Sequence, residues 1–194
     1  MQSEKGAVAT IHGCLQSGIL ATTYTASQGL LLMLPSIYKM AGECLPAVIH
    51  VAARSISTHS LSIFGDHQDI YAARQTGACM LSSSSVEEAY HMAMISHLSS
   101  IKSSLPFINF FDGFRTSHEI AKIKEIDLSK LEPLIDKKAL KMFRENAMAN
   151  TTTTRGTAEN DDIYFQHTEA RNIYYNKALE NTIYYMNKIN KICR

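Results

Sequence analysis

An apolar run at residues 46–53, PAVIHVAA, stops at Arg54 and gives way to small hydroxyl residues and a Gly-Asp-His-Gln-Asp turn at 65–69. A buried strand that delivers a guanidinium to its carboxyl end is how open α/β sheets build anion sites, so this run constrains fold and chemistry together. Strand-like segments recur at 19–24, 77–82 and 106–111, separated by helix-like segments. Such alternation predicts an α/β protein with a parallel sheet flanked by helices.

The intervening segments carry helix punctuation. Residues 6–17 read as a small-residue helix packed closely on a sheet, and 27–41 as an apolar helix with Ser27 as N-cap and Gly42 as its stop. Ser85 and Glu88 form a capping box for a helix running to about residue 100. After residue 120 the composition changes. Residues 122–144 are charged, 136–147 have helical spacing, and 151–154 are a threonine loop. Residues 170–192 are amphipathic, with Tyr174, Leu179, Ile183, Met186 and Ile189 as the apolar positions. The expected organisation is a sheet domain over 1–120 and a helical extension over 121–194 that wraps it or joins it to a neighbouring domain.

A chain of 194 residues can bury a substantial single core. Its net charge of +1 gives no electrostatic reason to expect nucleic acid or an anionic membrane as partner. The longest apolar stretch, 30–34, is far too short to cross a bilayer, and no signal-peptide pattern opens the chain. The four cysteines, Cys14, Cys44, Cys79 and Cys193, form no C-x-x-C pair, which predicts free buried thiols and no iron–sulfur ligand set here. Asp66, His67 and Asp69 lack the further ligands of a closed metal site and are expected in hydrogen-bond networks instead. There is no P-loop, no G-x-G-x-x-G and no Ser-His-Asp setting.

Three stretches read together carry a resemblance: Thr25-Ala26-Ser27-Gln28-Gly29, the segment 42–74 around Arg54, and Asp112-Gly113-Phe114-Arg115-Thr116-Ser117-His118-Glu119. They resemble the N-terminal, pyrimidine-binding domain of pyruvate:ferredoxin (flavodoxin) oxidoreductases, densely over 1–120 and again at 155–166, RGTAENDDIYFQ. The resemblance implies a thiamine-diphosphate-binding, pyrimidine-domain fold. It also implies that residues precede Met1 and follow Arg194 in a longer protein, and that this portion alone is inactive.

The resemblance assigns two site residues. Glu4 matches the carboxylate that hydrogen-bonds the pyrimidine ring nitrogen of thiamine diphosphate and so activates the cofactor, a catalytic and cofactor-binding role. Its plain alternative is a solvated glutamate in the first turn of a helix. Arg54 matches the arginine that binds the 2-oxo acid carboxylate through its two-pronged fork. Its alternative is a structural ion pair at a strand end. The family also contacts substrate through a threonine nearer the N-terminus; Thr25 is not its equivalent, and 25–28 reads as a helix cap. Arg115 is a reserve candidate for an anion contact.

The function so implied is oxidative decarboxylation of pyruvate to acetyl-CoA and CO2, with ferredoxin or flavodoxin as electron acceptor. Magnesium with the diphosphate, the iron–sulfur clusters and the coenzyme A site are expected in other domains. The whole enzyme is expected to be a homodimer in the cytoplasm or in the matrix of a hydrogenosome-like organelle. Two alternatives remain open: the front half of a pyruvate:NADP oxidoreductase, and a non-catalytic stand-alone protein of the same fold. Presence of both Glu4 and Arg54 weighs against the second.

Overall fold

Pro46 and Pro106 set where two strands begin. Neither has an N–H to give a ladder, so pairing starts just beyond each, at Val48 and Phe107. The computed structural model describes residues 2–152 and 156–193. Met1, Arg194, the end of the threonine loop (Thr153 and Thr154) and Arg155, where the second match begins, lie outside the described residues.

Four strands, β1 (Thr22–Thr25), β2 (Val48–Ala53), β3 (Cys79–Ser83) and β4 (Phe107–Asp112), form one parallel sheet in the order β1-β2-β4-β3. The expected strands at 46–53, 77–82 and 106–111 are present, each beginning one or two residues later. The first starts three residues later than expected, and its reason is local. The helix α1 (Glu4–Gln16) ends at Gly18, whose φ of 78° is left-handed. The Ile19 amide then donates back to the Cys14 carbonyl at 2.9 Å and the Gly18 amide to Leu15 at 3.0 Å. Ile19 therefore terminates a helix in a Schellman turn and is not available to the strand.

Side chains alternate across the sheet. Ile49, Val51, Ala53 and Ile108 face α1, α2 (Gln28–Gly42) and the short α3 (Gln68–Ala73), where Val8, Leu15, Leu30, Met33 and Ile37 are fully buried. Val48 and Phe107 face the other way, toward α4 (Val86–Ser103). Ser96, Ser99, Ser100 and Ser103 are all buried along α4, and their small size brings the helix close to the sheet. Ser100 donates to the Ala47 and Leu105 carbonyls at 3.1 and 2.7 Å. The capping box is half as expected. The Ser85 hydroxyl accepts from the Glu88 amide at 3.2 Å, but the Glu88 carboxylate reaches Ser84 rather than the Ser85 amide.

Beyond a single short turn, α5 (Arg115–His118), irregular segments and two 3-10 turns connect three further helices: α6 (Lys137–Glu145), α7 (Asp161–Ala170) and α8 (Asn172–Cys193). Helix α8 lies on α4 and buries Ala178, Thr182, Tyr185 and Ile189. Of the expected apolar stripe, Ile189 is buried and Met186 packs against the core, whereas Tyr174, Leu179 and Ile183 face solvent and small Ala178 and Thr182 face inward. Close approach to the serine-lined α4 favours the small residues, as the Asn181 amide donating to Ser103 Oγ at 3.0 Å shows. The four cysteines form no disulfide with one another and are half-buried rather than fully buried. Among the described residues no helix is long and apolar enough to cross a membrane.

Candidate active site

Every parallel strand directs its carboxyl end to the same edge, and there the loops of this fold gather its exposed polar groups. Arg54 is the residue after β2. Its Nε donates to the Gly113 carbonyl at 2.7 Å, and the Gly113 amide donates to the Ala53 carbonyl at 2.9 Å. A Cβ on Gly113 would collide with the Ala53 carbonyl and Arg54 Cγ, so only glycine lets this turn pass over the end of β2. Among the described residues the terminal amino groups of the guanidinium have no hydrogen-bond partner and no acid pairs with them.

Glu4 opens α1 beside the end of β1. A Cβ on Gly29 would lie 2.9 Å from Glu4 Cγ and 2.5 Å from Thr25 Oγ1, so the glycine forms a floor on which both side chains rest. The Glu4 side chain is exposed, and its carboxylate makes no hydrogen bond or ion pair among the described residues. Thr25 Oγ1 beside it is buried with no hydrogen-bond partner. Glu4, on the first turn of α1 beside the end of β1, and Arg54, just past the end of the adjacent strand β2, therefore stand at one edge.

Between the backbones of Ser27 and Arg54 lies Asp69. The D-H-x-D turn does not converge on a common point. Asp66 accepts from the Gln68 amide at 3.1 Å, the His67 ring meets Phe110 edge-on at 5.4 Å, and Asp69 turns into the interior with no solvent exposure. Asp69 accepts from the backbone amides of Ser27, Arg54 and Ile70 at 2.9, 3.1 and 2.8 Å. Burial raises its pKa above the usual carboxylate range, with those amides opposing the rise.

Ser27 does not cap α2 with its side chain. Its backbone adopts φ 48° and ψ −124°, a strained conformation for a non-glycine residue, and its hydroxyl donates to the Ser55 carbonyl at 2.7 Å. Asp112 accepts from the Phe114 amide at 2.9 Å and from that of Arg115. Desolvation pushes its pKa up, but those amides and the Arg115 charge together hold it below the usual carboxylate value. Arg115 itself is exposed. Leu61, Ile63 and Phe64 form an exposed apolar rim, and Phe64 packs edge-on against Phe114 at 4.8 Å.

A second polar group lies on the α4 face of the sheet and escaped the sequence reading. His50, within β2, is buried, stacks on Tyr24 at 4.8 Å, and shares a 3.2 Å hydrogen bond with the Asn109 amide. Its pKa is pushed down to about 4, chiefly by burial and then by His97, whose own pKa burial also lowers. The signal was available: one imidazole in an unbroken apolar run has to be accommodated neutral.

Fold and edge together define an open parallel α/β domain with the Glu4 carboxylate and the Arg54 guanidinium at the edge where its strands end. A family model described as the thiamine diphosphate-binding domain of pyruvate flavodoxin/ferredoxin oxidoreductase matches residues 1–187, and the chain belongs to that family. It is 57% identical over 193 residues to a pyruvate-flavodoxin oxidoreductase of Enterobacter agglomerans, covering 99% of this chain and 16% of the relative. It is 57% identical over 176 residues to a pyruvate:ferredoxin oxidoreductase of Moorella thermoacetica, covering 90% of this chain and 15% of the relative. A mitochondrial NADP-dependent pyruvate dehydrogenase of Euglena gracilis is 51% identical over 181 residues, 93% of this chain and 10% of the relative.

Among solved structures, a 2-oxoglutarate:ferredoxin oxidoreductase from Magnetococcus marinus shares the fold. Its TM-score is 0.67 at 14% identity, over 93% of this chain and 36% of that one. The chain thus spans about one sixth of the length of the first two relatives.

The residues present fit the group that the family description names. A carboxylate and a buried hydroxyl over a glycine floor, both without hydrogen-bond partners among the described residues, could hold the nitrogen-bearing edge of a planar ring.

Proposed function

We propose that this chain forms the pyrimidine-side wall of the active site in an enzyme that oxidatively decarboxylates pyruvate to acetyl-CoA and CO2, with ferredoxin or flavodoxin as electron acceptor. The observation that carries the reading is that the Arg54 fork and the Glu4 carboxylate, neither with an ion-pair partner among the described residues, stand at the same sheet edge. Thiamine diphosphate, when bound, would supply the nucleophilic chemistry needed at the 2-oxo carbon. Glu4 holds the pyrimidine ring nitrogen and stabilises its protonated form, and Thr25 Oγ1 lies within the same contact zone. Arg54 receives the pyruvate carboxylate on its two terminal amino groups. Its Nε is already committed to Gly113, so the fork is fixed in direction before substrate arrives.

The remaining parts belong to other domains of a longer protein: magnesium with the diphosphate, the iron–sulfur clusters and the coenzyme A site. The apolar rim of Leu61, Ile63 and Phe64 suits contact with such a domain. Residues 121–194 act as the helical extension toward it, since α7 and α8 leave Phe165, Leu179 and Ile183 outward. The assembled enzyme is a homodimer in the cytoplasm or in the matrix of a hydrogenosome-like organelle. A second reading, NADP as final acceptor, is supported by the likeness to the Euglena gracilis protein.

Arg54→Lys in the complete enzyme tests the substrate role. Lysine keeps the charge and loses the two-point geometry. One charge-assisted bond contributes about 1.5–3 kcal/mol, so the KM for pyruvate should rise roughly ten- to a hundredfold. An unchanged KM would remove Arg54 from substrate binding.

A further inference from the structure

Asp69 is the one fully buried carboxylate among the described residues, and burying a charge without need is unfavourable. Its three partners come from three separate places in the chain. Oδ1 accepts from Ile70 in its own helix, which any N-terminal carboxylate could do. Oδ2 is different: it accepts from Ser27 and from Arg54 at once. The first amide lies in the strained turn between β1 and α2, two residues before the Gly29 floor under Glu4. The second belongs to the candidate substrate arginine. A single oxygen therefore ties the backbone beneath the cofactor-side carboxylate to the backbone that carries the guanidinium. The Ser27 hydroxyl bond to the Ser55 carbonyl runs parallel to this tie.

We infer that Asp69 is a positioning residue that sets the placement of Arg54 relative to Glu4. The inference rests on the proposed function and deepens it. Neither substrate nor cofactor touches Asp69; it acts through two backbone amides. The strained Ser27 conformation fits such a role, because strain persists only where surrounding bonds enforce it.

Three variants of the complete enzyme test this, with folding followed by thermal melting. Asp69→Ala removes both ties. Asp69→Glu keeps the charge but moves the acceptor by a methylene. Asp69→Asn can place its carbonyl oxygen where Oδ2 stands and keep both ties. The KM for pyruvate should rise about tenfold or more in the Ala and Glu variants and return most of the way to normal in Asn. Hydrogen exchange read by mass spectrometry should quicken at the Ser27 and Arg54 amides in Ala and Glu only.

A folded Ala or Glu variant with normal KM would overturn the inference. So would failure of both to fold, which would make Asp69 a stability residue. Arg54→Lys, measured alongside, separates the two levels. If it leaves KM unchanged, the site reading itself fails. If it raises KM while Asp69→Glu does not, only the positioning role fails.

Discussion

The candidate site residues differ in how openly the sequence declared them. Arg54 and Glu4 stand beside small residues, and their environment could be anticipated from Ala52-Ala53 and Gly6-Ala7. Asp69 could not be told apart from Asp66 three positions earlier, since only the fold decides which carboxylate turns inward. His50 was hidden by its neighbours in the apolar run. Its folded pKa of about 4 lies below the ordinary 6.5, so the unfolded chain binds more protons between those values. Stability is therefore full above pH 6.5 and falls as pH drops toward 4. The loss is up to about 3 kcal/mol from this group. Denaturant titrations of the protein and of His50→Gln at a series of pH values should show the difference between them closing as pH falls, because glutamine carries no proton to gain. A constant difference would mean His50 is not held neutral.

At the level of elements, the alternation of apolar runs and helices was legible because each strand is bounded by proline, glycine or hydroxyl residues. Boundaries were less so. Schellman closure at Gly18 took Ile19 from β1, and the serine face of α4 put Ala178 and Thr182 inward in place of Leu179 and Ile183. The first effect is local but rests on backbone geometry; the second depends on a partner helix distant in sequence. The junction of β1 and α2 has the closest contact at the site. Gly29→Ala would press a methyl group against Thr25 Oγ1 and Glu4. Overpacking of this kind costs about 1–3 kcal/mol. The denaturant midpoint should fall, and in the complete enzyme the affinity for thiamine diphosphate should fall with it. An unchanged affinity would show that the floor beneath Glu4 has no part in cofactor binding.

For the whole molecule, parallel topology explains why residues fifty positions apart share one edge. Strand ends converge there, while α4 and α8 seal one face and α1 to α3 the other. Family membership follows from the match over 1–187, and the division of labour between Glu4 and Arg54 is the claim that extends it. That division is tested most directly by solvent exchange of the thiazolium C2 proton of bound thiamine diphosphate, measured without pyruvate in the complete enzyme. Glu4→Gln should slow exchange by about a hundredfold or more, as expected on losing an acid–base participant, while Arg54→Lys leaves it at the normal rate. Normal exchange in Glu4→Gln, or slowed exchange in Arg54→Lys, would contradict the account.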